Sequence, residues 1–269
     1  MVAFAANPLL CRFALREEQI DAASFATVRV ISGALVLALI LLFQKKVDYR
    51  PIASWWSTLM LFSYMVLFSF AYLTLSAGTG TLILFGAVQL TMFISGIRQG
   101  EQFSLISWAG LMLAIAGLVY LVSPGVTAPD PAGALMMTVA GIAWGVYSLL
   151  GKACINPLAA TANNFIYCVP LVTGVSLLFY GDLDISAEGL MLAATSGAVA
   201  SGLGYSVWYA ALRVLKPTSA ATVQLSVPAI AAFGGVLFLS EPLTMRLILA
   251  SAATLGGVAI VLTRRENNR

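Results

Sequence analysis

Three side-chain amides, Asn7, Gln89 and Gln224, sit inside long apolar runs of this chain. Pro8 directly follows Asn7, and Pro228 lies four residues after Gln224. A proline inside a helix has no N–H to give and frees the carbonyl four residues earlier, here those of Phe4 and Gln224. An amide beside a freed carbonyl makes a polar spot where everything around it is apolar. The chemistry on offer is hydrogen bonding to a solute, with neighbouring helices as the competing partners. Aromatic and hydroxyl side chains recur nearby: Tyr64 and Phe68, Trp144 and Tyr147, Ser201 and Tyr205. Rings of this kind can stack on a flat or cationic solute, or simply pack between helices.

Bond-making chemistry is poorly supplied. There is no histidine, which removes histidine bases, histidine metal ligands and Ser-His triads together. Cys11, Cys154 and Cys168 stand alone in or beside apolar runs, without metal spacing. No Asp or Glu falls at the centre of an apolar run, so no proton relay is evident. "SGLGYS" (201–206) lacks the strand before it and the Lys-Ser/Thr after it that a phosphate loop needs. We therefore expect no catalytic residue, no metal and no cofactor.

The elements that must hold these residues are membrane spans. Of 269 residues, 60% are hydrophobic and 9% charged, against about 25% charged in soluble domains. Crossing the hydrocarbon core takes about 20 apolar residues as a helix. Ten candidates follow: 1–15 (a stub), 23–43, 52–75, 79–97, 103–122, 131–151, 162–180, 189–212, 218–240 and 244–263. The expected fold is an all-α integral membrane bundle of ten helices, the first one short. "SPGVTAPD" (123–130) is a Pro/Gly hinge at the midpoint.

Lys and Arg counts orient the bundle. With the N-terminus inside, Lys45, Lys46, Arg50, Arg98, Lys152, Arg213, Lys216, Arg264, Arg265 and Arg269 are cytoplasmic, and Arg12, Arg16, Arg29 and Arg246 lie toward the outside. Both termini are then cytoplasmic in a multi-pass protein of the cell (inner) membrane. Arg29 is the only charge clearly inside a predicted span, close enough to its outer end to snorkel; gripping a solute carboxylate is the alternative. Glu241-Pro242 and Glu101 precede predicted helices, where a carboxylate faces the positive end of the helix dipole.

The chain also repeats itself. At a shift of 140, Leu9-Leu10 falls on Leu149-Leu150, Arg12 on Lys152, Phe25 on Phe165, Glu101 on Glu241 and Gly117 on Gly257. At a shift of 137, Tyr72 meets Tyr209 and Leu75 meets Leu212. Two domains follow, 1–123 and 131–265, each a five-helix repeat. An odd helix number makes the copies enter with opposite orientation, an architecture that places its site near mid-depth between the halves. In the same register the predicted start at Pro131 maps about ten residues ahead of Met1, so the first helix is either truly short or begins at an earlier start codon.

"AGIAWGVYSLLGK" (140–152), "YAALRVLKPTSAATVQLSVPAIAAFGGVLFLSEPLT" (209–244) and "LASAATLGGVAIVLTRR" (249–265) resemble the drug/metabolite transporter superfamily, in its EamA-type ten-helix branch. The resemblance covers nearly the whole chain and implies metabolite transport without naming a substrate. The four-helix multidrug branch uses a membrane-embedded glutamate in its first helix, where this chain has Asn7.

These readings give a secondary-type transporter, not an enzyme, moving a neutral, zwitterionic or amphipathic metabolite by alternating access. Amino-acid efflux is the first expectation from the resemblance. The expected lining is Asn7, Tyr64, Phe68, Gln89, Trp144, Tyr147, Ser201, Tyr205 and Gln224, with Pro8 and Pro228 as helix breaks. Expected partners are a small-molecule substrate and the lipid bilayer, with no nucleic acid, in a monomer or homodimer. The alternatives are a transport-dead truncated paralogue or subunit and, further off, an integral membrane lipid-modifying enzyme.

Overall fold

The structure is a computed structural model. It describes residues 1–43, 54–152, 154, 156–212 and 223–267. Lys45, Lys46, Arg50, Arg213, Lys216 and Arg269 lie outside the described residues, as do the side chains of Lys152, Tyr209, Arg264 and Arg265.

The described residues form helices and no sheet. The order is α1 (Val2–Arg16), α2 (Ala22–Phe43), α3 (Trp55–Ala71), α4 (Ala77–Arg98), α5 (Leu105–Val122), α6 (Pro131–Lys152) and α7 (Pro157–Leu178). Then come α8 (Ala187–Thr195), a π-helical segment (Ser196–Leu203) and α9 (Gly204–Leu212) in one continuous rod, followed by α10 (Ser226–Leu239) and α11 (Met245–Asn267). Among the described residues seven rods are long and apolar enough to cross a membrane, and Trp55–Ala71 and Ser226–Leu239 are shorter apolar helices. Backbone groups in lipid must be satisfied within the segment, which is why such sequences fold as helices.

Burial follows membrane logic. Leu35, Leu39, Leu42 and Phe43 on α2, and Phe233, Leu237 and Phe238 on α10, are exposed. Asn7, Arg29, Thr58, Asn164, Ser196 and Ser201 are buried. Apolar side chains face outward to lipid, and polar ones turn inward to find partners.

The helices before the midpoint hinge pack on those after it. α1 lies on α8, the π segment and α10; α2 on α7, α8 and the π segment; α3 on α6 and α7; α4 on α6 and α10; α5 on α11. Small residues permit the closest crossings. A Cβ at Gly110 of α5 would come within 2.7 Å of the Gly257 carbonyl of α11. A Cβ at Gly197 of the π segment would collide with the Arg29 carbonyl and Ser32 Oγ of α2.

Several local expectations are corrected. The helix expected over 218–240 is interrupted: Val223 and Gln224 are helical, Leu225 is a turn, and α10 starts at Ser226. Pro228 therefore stands in the first turn of α10, where an N–H would have no intrahelical partner anyway, and the break falls ahead of it. Pro8 breaks nothing, because α1 continues through it. Glu241 and Glu101 do not cap the helices that follow them. Thr244 Oγ1 accepts from Leu247 N at 3.2 Å at the start of α11, and Ser104 caps α5 through Ser107 N. Ser240 in the left-handed region (φ 51) turns the chain after α10 and directs Glu241 toward α4 instead.

Candidate functional site

Trp144 of α6 is the hub of an aromatic cluster. Its ring lies 4.8 Å from Tyr64 of α3, 5.5 Å from Tyr147 in a stacked arrangement, and 5.5 Å from Tyr205 of α9. Tyr64 meets Phe68 at 5.5 Å. Tyr205 also meets Phe4 of α1 at 5.6 Å and Phe165 of α7 at 6.1 Å, both edge-on. Five of the residues predicted to line a cavity thus come together where α3, α6 and α9 meet. Edge-to-face and offset geometries match the ring quadrupole and add to burial.

Beside this cluster lies a polar knot. Asn7 Oδ1 accepts from Ser196 Oγ at 2.7 Å and from Ser201 Oγ at 3.5 Å, all three residues buried. Ser196 and Ser201 bracket one i→i+5 step. An α-helix would turn them to different faces; the π segment brings both onto Asn7. Ser196 was missed in the sequence because α-helical spacing selects Gly197 and Ser201 instead.

Arg29 overturns its first expectation. It does not snorkel: it is 1% exposed. Nη2 donates to Tyr64 Oη at 3.0 Å, and the guanidinium carbon stands 4.6 Å from the Phe68 ring and 5.4 Å from the Tyr64 ring. Packing of α2 on α7, α8 and the π segment leaves the side chain an inward course, where two ring faces attract it. Among the described residues Nε and Nη1 have no hydrogen-bond partner.

Tyr147 connects the cluster to a cavity of about 220 Å³, lined also by Ser57, Cys154, Thr161 and Asn164. Tyr147 Oη donates to Thr161 Oγ1 at 3.1 Å, and Thr58 Oγ1 to Asn164 Oδ1 at 3.3 Å. This cavity lies at the end of the bundle where α3 and α7 begin and α6 finishes. Asn164 follows the helix-starting Asn156-Pro157 by two turns, and so near a helix start an amide carries no sequence signal of its own. Gln89 is half-buried on α4 and Gln224 half-buried before α10. Neither takes part in the aromatic cluster or the Asn7 knot.

The opposite end is laced together by polar contacts. Arg12 Nε lies 3.4 Å from Glu241 Oε1, while Arg12 Nη1 donates to the Tyr72 and Leu73 carbonyls. Glu241 Oε2 accepts from Ala77 N, the first residue of α4, at 2.9 Å. Arg16 donates to the Leu239 carbonyl. Alongside, Asp21 N donates to Asp184 O and Ser186 N to Gln19 O, pairing two links from distant parts of the chain. A second cleft of about 310 Å³ at this end, lined by Thr74, Thr127 and Thr244 among others, touches neither the aromatic rings nor Asn7.

The family model for EamA-like transporters matches residues 1–123 and 131–263. The chain belongs to the EamA-like transporter family. An uncharacterized protein of Pseudomonas aeruginosa is 46% identical over 265 residues, spanning 98% of this EamA-like chain and 92% of its own length. An uncharacterized transporter of Archaeoglobus fulgidus is 23% identical over 252 residues, covering 90% and 89% of the two chains. The threonine/homoserine exporter RhtA of Salmonella typhimurium is 29% identical over 170 residues, 60% of this chain and 57% of that one. A solved crystal structure superposes with a TM-score of 0.67 at 18% identity, covering 100% and 98% of the two chains. The last likeness concerns the fold alone. Family and relatives make this EamA-like protein a multi-pass membrane transporter of small molecules and not an enzyme.

Proposed function

We propose that this protein exports a small neutral or zwitterionic metabolite of amino-acid type by alternating access, its two matched segments rocking about the aromatic cluster. The observation that carries this reading is the position of Trp144. Its ring touches Tyr64 from the first segment and Tyr205 from the second. A movement between the segments must therefore remodel that contact.

Three further observations support the reading. The helix contacts keep their form when the two segments are exchanged: α3 on α6 answers to α1 on α8 and the π segment, α4 on α6 to α1 on α10, and α5 on α11 to itself. Two repeats related by a two-fold axis have this pattern, and an odd helix number makes such a pair inverted. One end is laced by the Arg12–Glu241 pair, and the other holds the cavity beside Tyr147. Under the Lys/Arg distribution the cavity end is cytoplasmic, the end from which an exporter loads. The substrate class rests on the likeness to an amino-acid exporter over 60% of the chain. In this reading the termini are cytoplasmic, the membrane is the inner one, and the unclustered Gln89 and Gln224 meet the solute in another access state.

The test is counterflow in proteoliposomes preloaded in turn with unlabelled threonine, leucine or phenylalanine. Accumulation of the labelled solute by wild type, and a fall of at least about tenfold in Trp144→Ala with retention in Trp144→Phe, is the expected result. Equal counterflow in all three proteins would remove the aromatic seam from the mechanism.

A further inference from the structure

Arg29 is a buried cation with no carboxylate in salt-bridge reach among the described residues. It sits seven residues into α2, roughly 10 Å along the helix. Among the described residues the ion pair recorded is Arg12 with Glu241, which uses a different arginine. Asp21, just ahead of α2, accepts from Ser24 N at 2.8 Å through Oδ1, and its buried Oδ2 has no hydrogen-bond partner among the described residues, Arg29 included. Tyr64 satisfies Nη2, but a phenol supplies no negative charge. Rings attract a guanidinium without taking its hydrogen bonds. The N–H of Nε and both of Nη1 stay unpaired. A charge in this condition is costly to keep and is ordinarily neutralised by a partner.

The missing partner has a definable chemistry. It is an anion of hydrogen-bonding size, and the guanidinium suits a carboxylate. What surrounds it defines the rest of the ligand. The Phe68 and Tyr64 rings flank the guanidinium. Tyr64 hands on to Trp144, and Trp144 stacks on Tyr147, which lines the cavity. Charge and apolar wall are thus contiguous.

We propose that Arg29 anchors a carboxylate on the transported solute, with the Tyr64, Phe68 and Trp144 rings holding its apolar part. This deepens the transport reading and rests on it: the solute is a carboxylate or zwitterion, not a neutral molecule or a cation. Tyr64 acts through Arg29, fixing one nitrogen so that the others stay free. An inorganic anion such as chloride shares the charge but not the apolar body.

The experiment uses the full chain in nanodiscs and follows thermal unfolding. The probes are sodium benzoate, its neutral isostere benzamide, and sodium chloride at matched ionic strength. At about ten times its Kd, benzoate is expected to raise the melting temperature of wild type by about 3 °C or more. Benzamide and chloride are expected to leave it unchanged. Arg29→Met, which removes the partnerless charge and keeps the bulk, is expected to fold, to melt no lower than wild type without ligand, and to lose the benzoate response. Arg29→Lys keeps the charge without the fork and is expected to retain part of it. The proposal is overturned by equal responses to benzoate and benzamide, by a benzoate response surviving in Arg29→Met, by chloride matching benzoate, or by failure of Arg29→Met to fold. Counterflow of any solute by wild type keeps the transport reading standing whichever way these arms fall. Absence of counterflow alongside an Arg29-dependent benzoate response removes that reading and leaves the anion site.

Discussion

Arg12 of α1 and Glu241, in the link between α10 and α11, meet at 3.4 Å although 229 positions separate them in the chain. Each also holds backbone of a third partner: Arg12 the carbonyls at the end of α3, Glu241 the first N–H of α4. With side-chain exposures of 17% and 9% the pair is largely out of water, where charge-assisted hydrogen bonds are each worth about 1.5–3 kcal/mol. Removing one partner leaves the other charge unpaired.

Glu241→Ala and Arg12→Ala should therefore loosen this end. Cys11, buried beside Arg12, reports on it. In a Cys154→Ser, Cys168→Ser background, the rate of maleimide labelling at Cys11 should rise about tenfold in either variant, the equivalent of about 1.4 kcal/mol. An unchanged rate would mean that the pair does not hold this end closed.

Cys154 reports on the other end. It is half-buried and lines the cavity with Tyr147. In a Cys11→Ser, Cys168→Ser background, a bulky maleimide should react with it and lower counterflow several-fold, and Cys154→Ser should abolish the inhibition. Full transport by labelled protein would place the solute path elsewhere.

The Asn7 knot makes a stability prediction. Asn7→Ala leaves Ser196 and Ser201 without their buried acceptor and should cost about 1–3 kcal/mol, read as a lower melting temperature. Ser196→Ala should cost less. A double-mutant cycle of Asn7 with Ser196 should show a coupling of at least about 0.5 kcal/mol, since the pair is in contact. Full additivity would contradict the bond.

Two glycines give a controlled comparison. Gly197→Ala drives a methyl into the Arg29 carbonyl and Ser32 Oγ, an overpacking worth about 1–3 kcal/mol. Gly256→Ala on α11 meets nothing within 4 Å; alanine's helix preference should leave it neutral or more stable by up to about 1 kcal/mol. Melting temperatures of the two variants should differ in that order.

How much of this was legible beforehand varies with the range of the interaction. The span expected over 23–43 is Ala22–Phe43 in the structure, 103–122 is Leu105–Val122, and 131–151 is Pro131–Lys152. Helix starts and breaks were harder. Thr244 took the cap expected of Glu241, and the break expected at Pro228 fell at Leu225. A polar side chain near a helix end has several possible partners within reach, and the chain's own next turn is only one of them.

The sequence by itself determined the solvent, the helices and the scarcity of reactive groups. Those follow from composition and from local backbone hydrogen bonding, which each segment satisfies alone. It also picked out Tyr64, Phe68, Trp144, Tyr147 and Tyr205, which the fold gathers. Only the tertiary structure decided that Arg29 turns inward to Tyr64, that Glu241 accepts from the first N–H of α4, and that Ser196 joins Ser201 on Asn7. Each of those contacts depends on which helices meet and on how a π turn rotates a face. A buried polar group takes its partner from whatever helix lies opposite, and that helix is tens to hundreds of residues away in the chain.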